Sequence, residues 1–375
     1  MKIAVVIPKY GLVGGAEGFS YELTERLALK PGLDIHVFAN KWRRGASPVI
    51  FHKVPRIVFP RFLRQVSFAY SAGRKILSSN CDLIHSHDRI FRADIFTMHG
   101  IPHSTWIREA RRKHLSLFDR SLIWLERKTL QRKDLPLVLP VSNLVKEELL
   151  KNYDIPESRL EVIHPGISKD RFEGLDRGAC RKEIRSRHGL SERDIVVLFV
   201  GMNFEIKRLD LVIKGTAELI ARDKRFNCLK VLAVGKGEKK RYLTLAKDLG
   251  VQENIIFAGV ALDIEKYYLA CDIFAMPSSF DTFGIAVLEA MFAGLPVIIS
   301  SKVGARDLIE SGAQGFVMED PSPLEFSRRL EFFTIEENRL KIGDNARKSA
   351  VGHTWDMVAE KVYNLYMSFE KKGDI

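Results

Sequence analysis

Short apolar runs alternate with longer segments whose apolar positions recur every three or four residues. KIAVVIP (2–8) reads as a buried first strand. A glycine-rich turn, GLVGGAEG (11–18), then leads into FSYELTERLALK (19–30), which has helical spacing. DIHVFA (34–39), DLIHSH (82–87), DIFTMHG (94–100), LPLVLPVS (135–142) and LEVIHPG (160–166) are further predicted strands. Between the last two, NLVKEELLKNY (143–153) reads as a helix capped by Ser142. The second half repeats this grammar. IVVLFVG (195–201) is its first strand and RLDLVIKGTAELIAR (208–222) its first helix. LKVLAVGKGE (229–238), NIIFAGV (254–260), DIFAMPS (272–278) and PVIISS (296–301) follow as parallel strands. The pattern predicts two α/β sheets in tandem, with a hinge in HPGISKDRFEGLDRGAC (164–180). An amphipathic helix, TWDMVAEKVYNLYMSFEKK (354–372), ends the chain.

The run DTFGIAVLEAMFAGLP (281–296) is the most informative stretch. It follows a predicted strand and sets an acid, Asp281, before a turn with Gly284. A helix is predicted from Phe283 or Gly284 to Ala293, stopped by Gly294 and Pro296. The first N–H groups of such a helix suit an anion such as a diphosphate. Glu289 lies about 9 Å along the axis from Phe283, within reach of ribose hydroxyls. Asp281 faces the other end of the diphosphate, so the order suits a nucleotide-sugar. Gly14 and Gly15 open the first helix, where bare backbone can approach a phosphate closely. GLVGGAEG is not GxGxxG, and no ribose acid follows on the second strand, which argues against a dinucleotide fingerprint.

An acid, seven residues and a second acid, followed by the EAMxxGxPV pattern, resembles the signature of glycosyltransferase family four. GGAE near the N-terminus is similar to that family as well. The family includes bacterial lipopolysaccharide-core glucosyltransferases and phosphatidylinositol mannosyltransferases. The resemblance implies an α/β protein of GT-B fold: two Rossmann-like domains facing a central cleft, with the last helix crossing back to the first domain. It implies an acceptor-binding domain over 1–167, a nucleotide-sugar domain over 168–354 and a returning helix over 355–375. Glu289 is then the ribose contact, and Asp281 with the backbone of Phe283, Gly284 and Ile285 holds sugar and diphosphate. Lys207 and Arg208 neutralise the leaving group, and His99, at a strand end, orients the sugar. Gly14, Gly15 and Gly235 lie near the diphosphate or nucleotide, with Lys236 a neighbour; the base meets backbone around Gly259 and Val260. Two departures stand out. The first acid is Asp281 where the family usually has Glu, and Met202 stands where it has an arginine. His85 and His87 read as structural or acceptor-lining residues. No metal or other cofactor is expected, because protein cations can balance the leaving group.

Charge adds a partner. Residues 1–168 hold 27 Lys and Arg against 16 Asp and Glu, whereas residues 169–375 hold 32 against 31. The basic half seeks an anion: nucleic acid, an acidic bilayer or a phosphorylated acceptor. Residues 41–75 mix cations with Trp42, Phe51, Phe59, Phe62, Phe68 and Tyr70, and REARRKH (108–114) adds more beside Trp106. Such mixtures favour an anionic membrane surface or the phosphates of a lipid-linked saccharide. No nucleic-acid-binding pattern is present. No apolar run is long enough to span a bilayer, and the N-terminus lacks a signal peptide's h-region. Cys81, Cys180, Cys228 and Cys271 lack metal-ligand spacing and read as reduced thiols.

These readings converge on a retaining hexosyltransferase, cytoplasmic and peripheral on the inner face of the cytoplasmic membrane. The expected donor is UDP-glucose or a related UDP-sugar. The expected acceptor is a phosphorylated or lipid-linked saccharide of lipopolysaccharide core or another envelope glycan. Three alternatives stay open: a GDP-mannose-dependent mannosyltransferase, a nucleotide-sugar epimerase of the same fold, and a non-catalytic anion- or nucleic-acid-binding protein.

Overall fold

The structure is a computed structural model and describes residues 1–373 apart from Val13 and Arg112. The chain forms two compact units, residues 1–166 with 355–375, and residues 167–354. In the first unit six strands lie in one parallel sheet: β1 (Lys2–Val6), β2 (Asp34–Ala39), β3 (Ile50–Lys53), β4 (Leu83–Ser86), β5 (Ile95–Met98) and β6 (Leu137–Pro140). Their spatial order is β3-β2-β1-β4-β5-β6. The second unit has β7 (Ile195–Gly201), β8 (Leu229–Gly235), β9 (Ile255–Gly259), β10 (Ile273–Met276), β11 (Val297–Ser300) and β12 (Gly315–Met318), in the order β9-β8-β7-β10-β11-β12. Both sheets are therefore doubly wound, and each reverses direction beside its first strand. Ligands of such sheets bind beyond the carboxyl ends of the strands at that reversal.

The central strands are nearly all apolar because helices cover both faces. Val196 to Phe199 and Ile273 to Met276 are fully buried. Helix Leu209–Arg222 buries Leu209, Leu211, Val212, Ile213 and Leu219, and Gly215 lets Phe326 approach its backbone. Aspartates at strand starts clamp the register. The Asp82 carboxylate accepts from Lys2 N at 2.6 Å, Asp94 from Ile84 N at 2.8 Å and Asp272 from Val196 N at 2.7 Å. Asp272 also receives the buried Arg185 guanidinium at 2.8 Å and Arg181 at 2.9 Å.

The last helix, Trp355–Gly373, belongs to the first unit. Its Trp355 ring meets Phe19 edge-on at 5.0 Å, and Asp356 accepts from Arg26 at 2.8 Å. Ser142 caps helix Asn143–Asn152 by accepting from Val145 N. All four cysteines are free.

The predicted strand over 160–166 does not form. Glu161 and Ile163 each donate one 3.0 Å hydrogen bond to β6, and the contact stays one-sided with a single bridge at Leu160. Two edge strands, β3 and β12, were not predicted; β3 lies within the basic segment. Among the described residues no helix is long and apolar enough to cross a membrane.

Removing the Asp272 carboxylate leaves Arg185, only 1% exposed, without its counter-charge. Asp272→Ala is expected to cost about 3–5 kcal/mol in denaturant unfolding of the second unit. Leu262→Ala, at a position 97% exposed, is expected to stay within about 0.5 kcal/mol.

Candidate active site

In the second unit β7 and β8 run side by side to paired glycines, Gly201 and Gly235. Gly235 has φ +126°, and a Cβ there would sit 1.9 Å from the Gly201 carbonyl oxygen, so only glycine fits. The strand ends are thus bare backbone. β7 and β10 share only two register pairs, Val197 with Ile273 and Leu198 with Phe274, and then part. The space opened by that parting is lined by the segments that follow the two strands.

The segment after β7 is a tight turn. The Asn203 side chain accepts from Glu205 N and Ile206 N at 3.1 Å. Ser279 N donates to Ile206 O at 2.8 Å, tying this turn to the segment after β10. Lys207 then lies over Gly201 and forms an ion pair with Asp281 Oδ2. Asp281 is itself fixed by its backbone: its N–H donates to Lys302 O at 2.9 Å and its carbonyl accepts from Gly304 N at 3.0 Å. Arg208 has φ +60°, an uncommon conformation for a side-chain-bearing residue. Its guanidinium pairs with Asp210 at 3.2 Å, so it sits on the first turn of its own helix.

The helix after Asp281 spans Ile285–Phe292, shorter at both ends than predicted. Gly284 has φ +88° and cannot be helical, and a Cβ there would lie 2.6 Å from Met276 Cε. Asp281 Oδ1 accepts from Phe283 N at 3.3 Å, and Phe283 O accepts from Ala305 N at 2.7 Å. Side chain and neighbouring loop thus take over the groups that a further helical turn would have used.

Glu289 sits one turn into this helix and is mostly buried. Its Oε1 accepts from Arg171 at 2.9 Å and its Oε2 from the Tyr268 hydroxyl at 2.8 Å. Burial pushes its carboxyl above the ordinary range, while Arg171 and the Tyr268 hydrogen bond pull it back. Arg171 also pairs with Glu265. Arg171, Tyr268 and Glu265 were not singled out by sequence; Arg171 lay in the predicted hinge, and no spacing ties it to Glu289. Along the carboxyl edge of the same sheet stands Val260, 60% exposed after Gly259. Met202 lines a cavity of about 450 Å³ with Phe204, Lys236, Gly237, Arg241 and Tyr242.

In the first unit Gly14 precedes helix Gly15–Leu27, and a Cβ on Gly14 would overlap the Glu17 carboxylate. His99 follows β5, where its Nε2 lies 3.1 Å from His87 Nδ1, and the Phe19 ring meets it edge-on at 4.9 Å. His85 and His87 stack at 4.4 Å, and His85 bridges Thr97 at 2.7 Å to Tyr366 at 2.6 Å. Burial lowers His85 and His99 to about 3, so both are neutral at pH 7. His99 can therefore offer a sugar a hydrogen bond but no positive charge.

The basic segments resolve into two kinds of surface. Phe68 is core, and Trp42 stacks on Phe51 at 5.2 Å. Val58, Phe59 (85% exposed), Phe62, Tyr70, Leu117 and Trp124 face solvent. Arg61 lies 5.5 Å from the Phe118 ring, joining the 57–62 loop to helix Leu117–Leu130. Arg112 lies outside the described residues.

Comparison with known proteins bears on both units. Residues 13–171 match the family described as Glycosyltransferase Family 4, and residues 180–349 match Glycosyl transferases group 1. An uncharacterized glycosyltransferase of Methanocaldococcus jannaschii is 27% identical, over 98% of this chain and 98% of its own length. D-inositol 3-phosphate glycosyltransferase of Rhodococcus jostii is 28% identical over 60% of this chain, which spans 51% of that protein. Among solved structures, WaaG, a glycosyltransferase involved in lipopolysaccharide biosynthesis, superposes with a TM-score of 0.81 at 22% identity, covering 97% of this chain and 99% of WaaG. Anabaena HepE in complex with UDP-glucose superposes at 0.74 with 18% identity, covering 98% of this chain and 100% of HepE. With two doubly wound units, each matched by a glycosyltransferase family, the chain belongs to the glycosyltransferases of GT-B fold, with a family four segment ahead of a group 1 segment.

Proposed function

We propose that the protein moves a hexose from a UDP-sugar to a phosphorylated or lipid-linked saccharide with retention of anomeric configuration. The observation that carries this reading is the Lys207–Asp281 pair at the parting of β7 and β10, with Glu289 buried one helical turn beyond. Those groups stand in the order that a sugar, a diphosphate and a ribose require. Glu289 accepts from ribose hydroxyls. The diphosphate lies against Gly235 and the backbone of Phe283, Gly284 and Ile285, and the base lies toward Val260. Lys207 neutralises the departing nucleoside diphosphate, with Arg208 as the second cation once it leaves Asp210. Asp281 contacts the sugar; in the first unit His99 is the candidate hydrogen-bonding group for a sugar, and Gly14 and Gly15 are the candidate anion-facing backbone. The acceptor hydroxyl attacks from the face that the diphosphate leaves, and a donor phosphate oxygen takes its proton. No resident metal is part of this scheme.

The UDP and UDP-glucose complexes of HepE support a UDP-linked donor. The inositol-phosphate enzymes support a phosphorylated acceptor, and WaaG supports a role in cell-envelope glycans. In this reading the second unit binds donor and the first binds acceptor. The exposed Val58, Phe59, Phe62, Leu117 and Trp124 among cations of the first unit support docking on the cytoplasmic face of an anionic membrane.

The direct test is transfer from UDP-glucose to a panel of phosphorylated saccharides and lipid-linked acceptors, with the product anomer read by NMR. A retained α-linkage is expected. Donor turnover without any acceptor product points to an epimerase or hydrolase instead. Lys207→Ala is expected to lower kcat by about 10²–10³-fold, with Lys207→Arg recovering part. Transfer is expected to persist in excess EDTA; a loss restored by Mg²⁺ or Mn²⁺ refutes the metal-free scheme. Phe59→Ser with Phe62→Ser is expected to weaken co-sedimentation with phosphatidylglycerol vesicles at least tenfold while leaving transfer to a soluble acceptor unchanged. Equal sedimentation of variant and wild type contradicts the docking surface.

A further inference from the structure

The donor site includes a group that the reaction scheme has not used. Arg171 stands on the short turn Lys169–Phe172, whose Phe172 ring packs on Phe292 at 5.1 Å and Tyr268 at 6.5 Å. That anchoring seats the turn on the two helices that carry Tyr268 and Glu289. From there the Arg171 guanidinium spans two carboxylates, Glu265 and Glu289. Both carboxylates are mostly buried, whereas Arg171 is about half exposed.

We infer that Arg171 is a positioning residue for the nucleotide: it keeps Glu289 an acceptor with one lone pair on each oxygen aimed at a vicinal diol. This rests on Glu289 being the ribose contact. An ionised carboxylate offers about four acceptor positions. Arg171 uses one on Oε1 and Tyr268 one on Oε2. One remains on each oxygen, and the two hydroxyls of a ribose supply two donors. A protonated Glu289 presents a donor instead and forfeits that match.

Protonation is the risk at this position. Burial raises the Glu289 carboxyl, and Glu265 pushes the same way; Arg171 is the largest opposing influence and Tyr268 the next. Other charges near the helix lie elsewhere. Arg177 donates to Ala293 O at its far end, and Arg347 approaches Gly294. Arg306 and Asp307 stand on the turn Gly304–Leu308 that touches the helix. These are the same in every variant below. Removing Arg171 raises the Glu289 pKa further. The acceptor form is then lost at a higher pH as pH falls, and an excess of base restores it.

The test is calorimetric titration of the full chain with UDP and GDP in parallel between pH 5 and 9. Arg171→Gln is expected to weaken nucleotide binding at least tenfold at pH 6 and to approach wild type at pH 9. Arg171→Lys restores most of the affinity, and adding Glu265→Gln to Arg171→Gln moves the acid limb back toward wild type. The 2′,3′-dideoxy nucleotide, which lacks the diol, is expected to bind Arg171→Gln and wild type alike. If Arg171→Gln does not fold, Tyr268→Phe removes the other donor and must shift the acid limb the same way. An unchanged pH profile in Arg171→Gln, alongside lost binding in Glu289→Ala, overturns the inference and spares the ribose reading. Unchanged binding in Glu289→Ala overturns the ribose reading itself.

Discussion

The second unit depends on how its first and fourth strands are held together and then let go. β7 and β10 are buried, parallel and joined through only two residue pairs. At their starts Asp272 binds Val196 N and the guanidinium of Arg185, so the register cannot slip. At their ends the strands part, and the turn after each delivers one member of the Lys207–Asp281 pair. A parallel sheet has no hairpin to close this gap, because each strand must be followed by a crossover. The opening at the carboxyl edge is thus a consequence of topology. Gly201, Gly235 and Gly284 keep side chains out of it and leave bare backbone at its edge.

Charge in that opening is balanced by local pairing rather than by net charge. Lys207 meets Asp281, Arg208 meets Asp210, and Arg171 meets both Glu265 and Glu289. Half-buried charges paired this way offset one another without a ligand, yet each cation keeps donors that an incoming diphosphate or hydroxyl can share. The first unit differs. Its three stacked imidazoles are kept neutral by burial. Paired cations thus mark the second unit and neutral imidazoles the first.

Much of the architecture was legible in the sequence for physical reasons. Fully buried parallel strands read as continuous apolar runs, and the run from Asp281 to Pro296 carried its acid, glycine and helix in local order. Edge strand β3 escaped because it is partly exposed and mixes apolar with polar residues, whereas β12 is mostly buried but only four residues long and opens on a glycine. The start of the helix after Asp281 was misplaced by one or two residues. That start is set by the positive φ of Gly284, where a Cβ would run into Met276 and Val303, and by the hydrogen bond from Phe283 N to Asp281. Arg171 was illegible for a deeper reason: it lies 118 residues from Glu289, and only folding joins them. Arg208 illustrates the converse. Its charge was visible, but its pairing with Asp210 follows from a left-handed backbone that the sequence does not announce.

The central claim is that the second unit holds a nucleotide-sugar through Glu289. Affinity of the full chain for UDP-glucose, UDP-galactose, GDP-mannose and ADP-glucose, with NAD and a single-stranded oligonucleotide as controls, tests it most directly when wild type and Glu289→Ala are measured together. The account predicts binding of a UDP-sugar by wild type, weakened at least tenfold in Glu289→Ala, and no comparable binding of NAD. Binding of oligonucleotide alone, or of a nucleotide-sugar with equal affinity by both proteins, contradicts it.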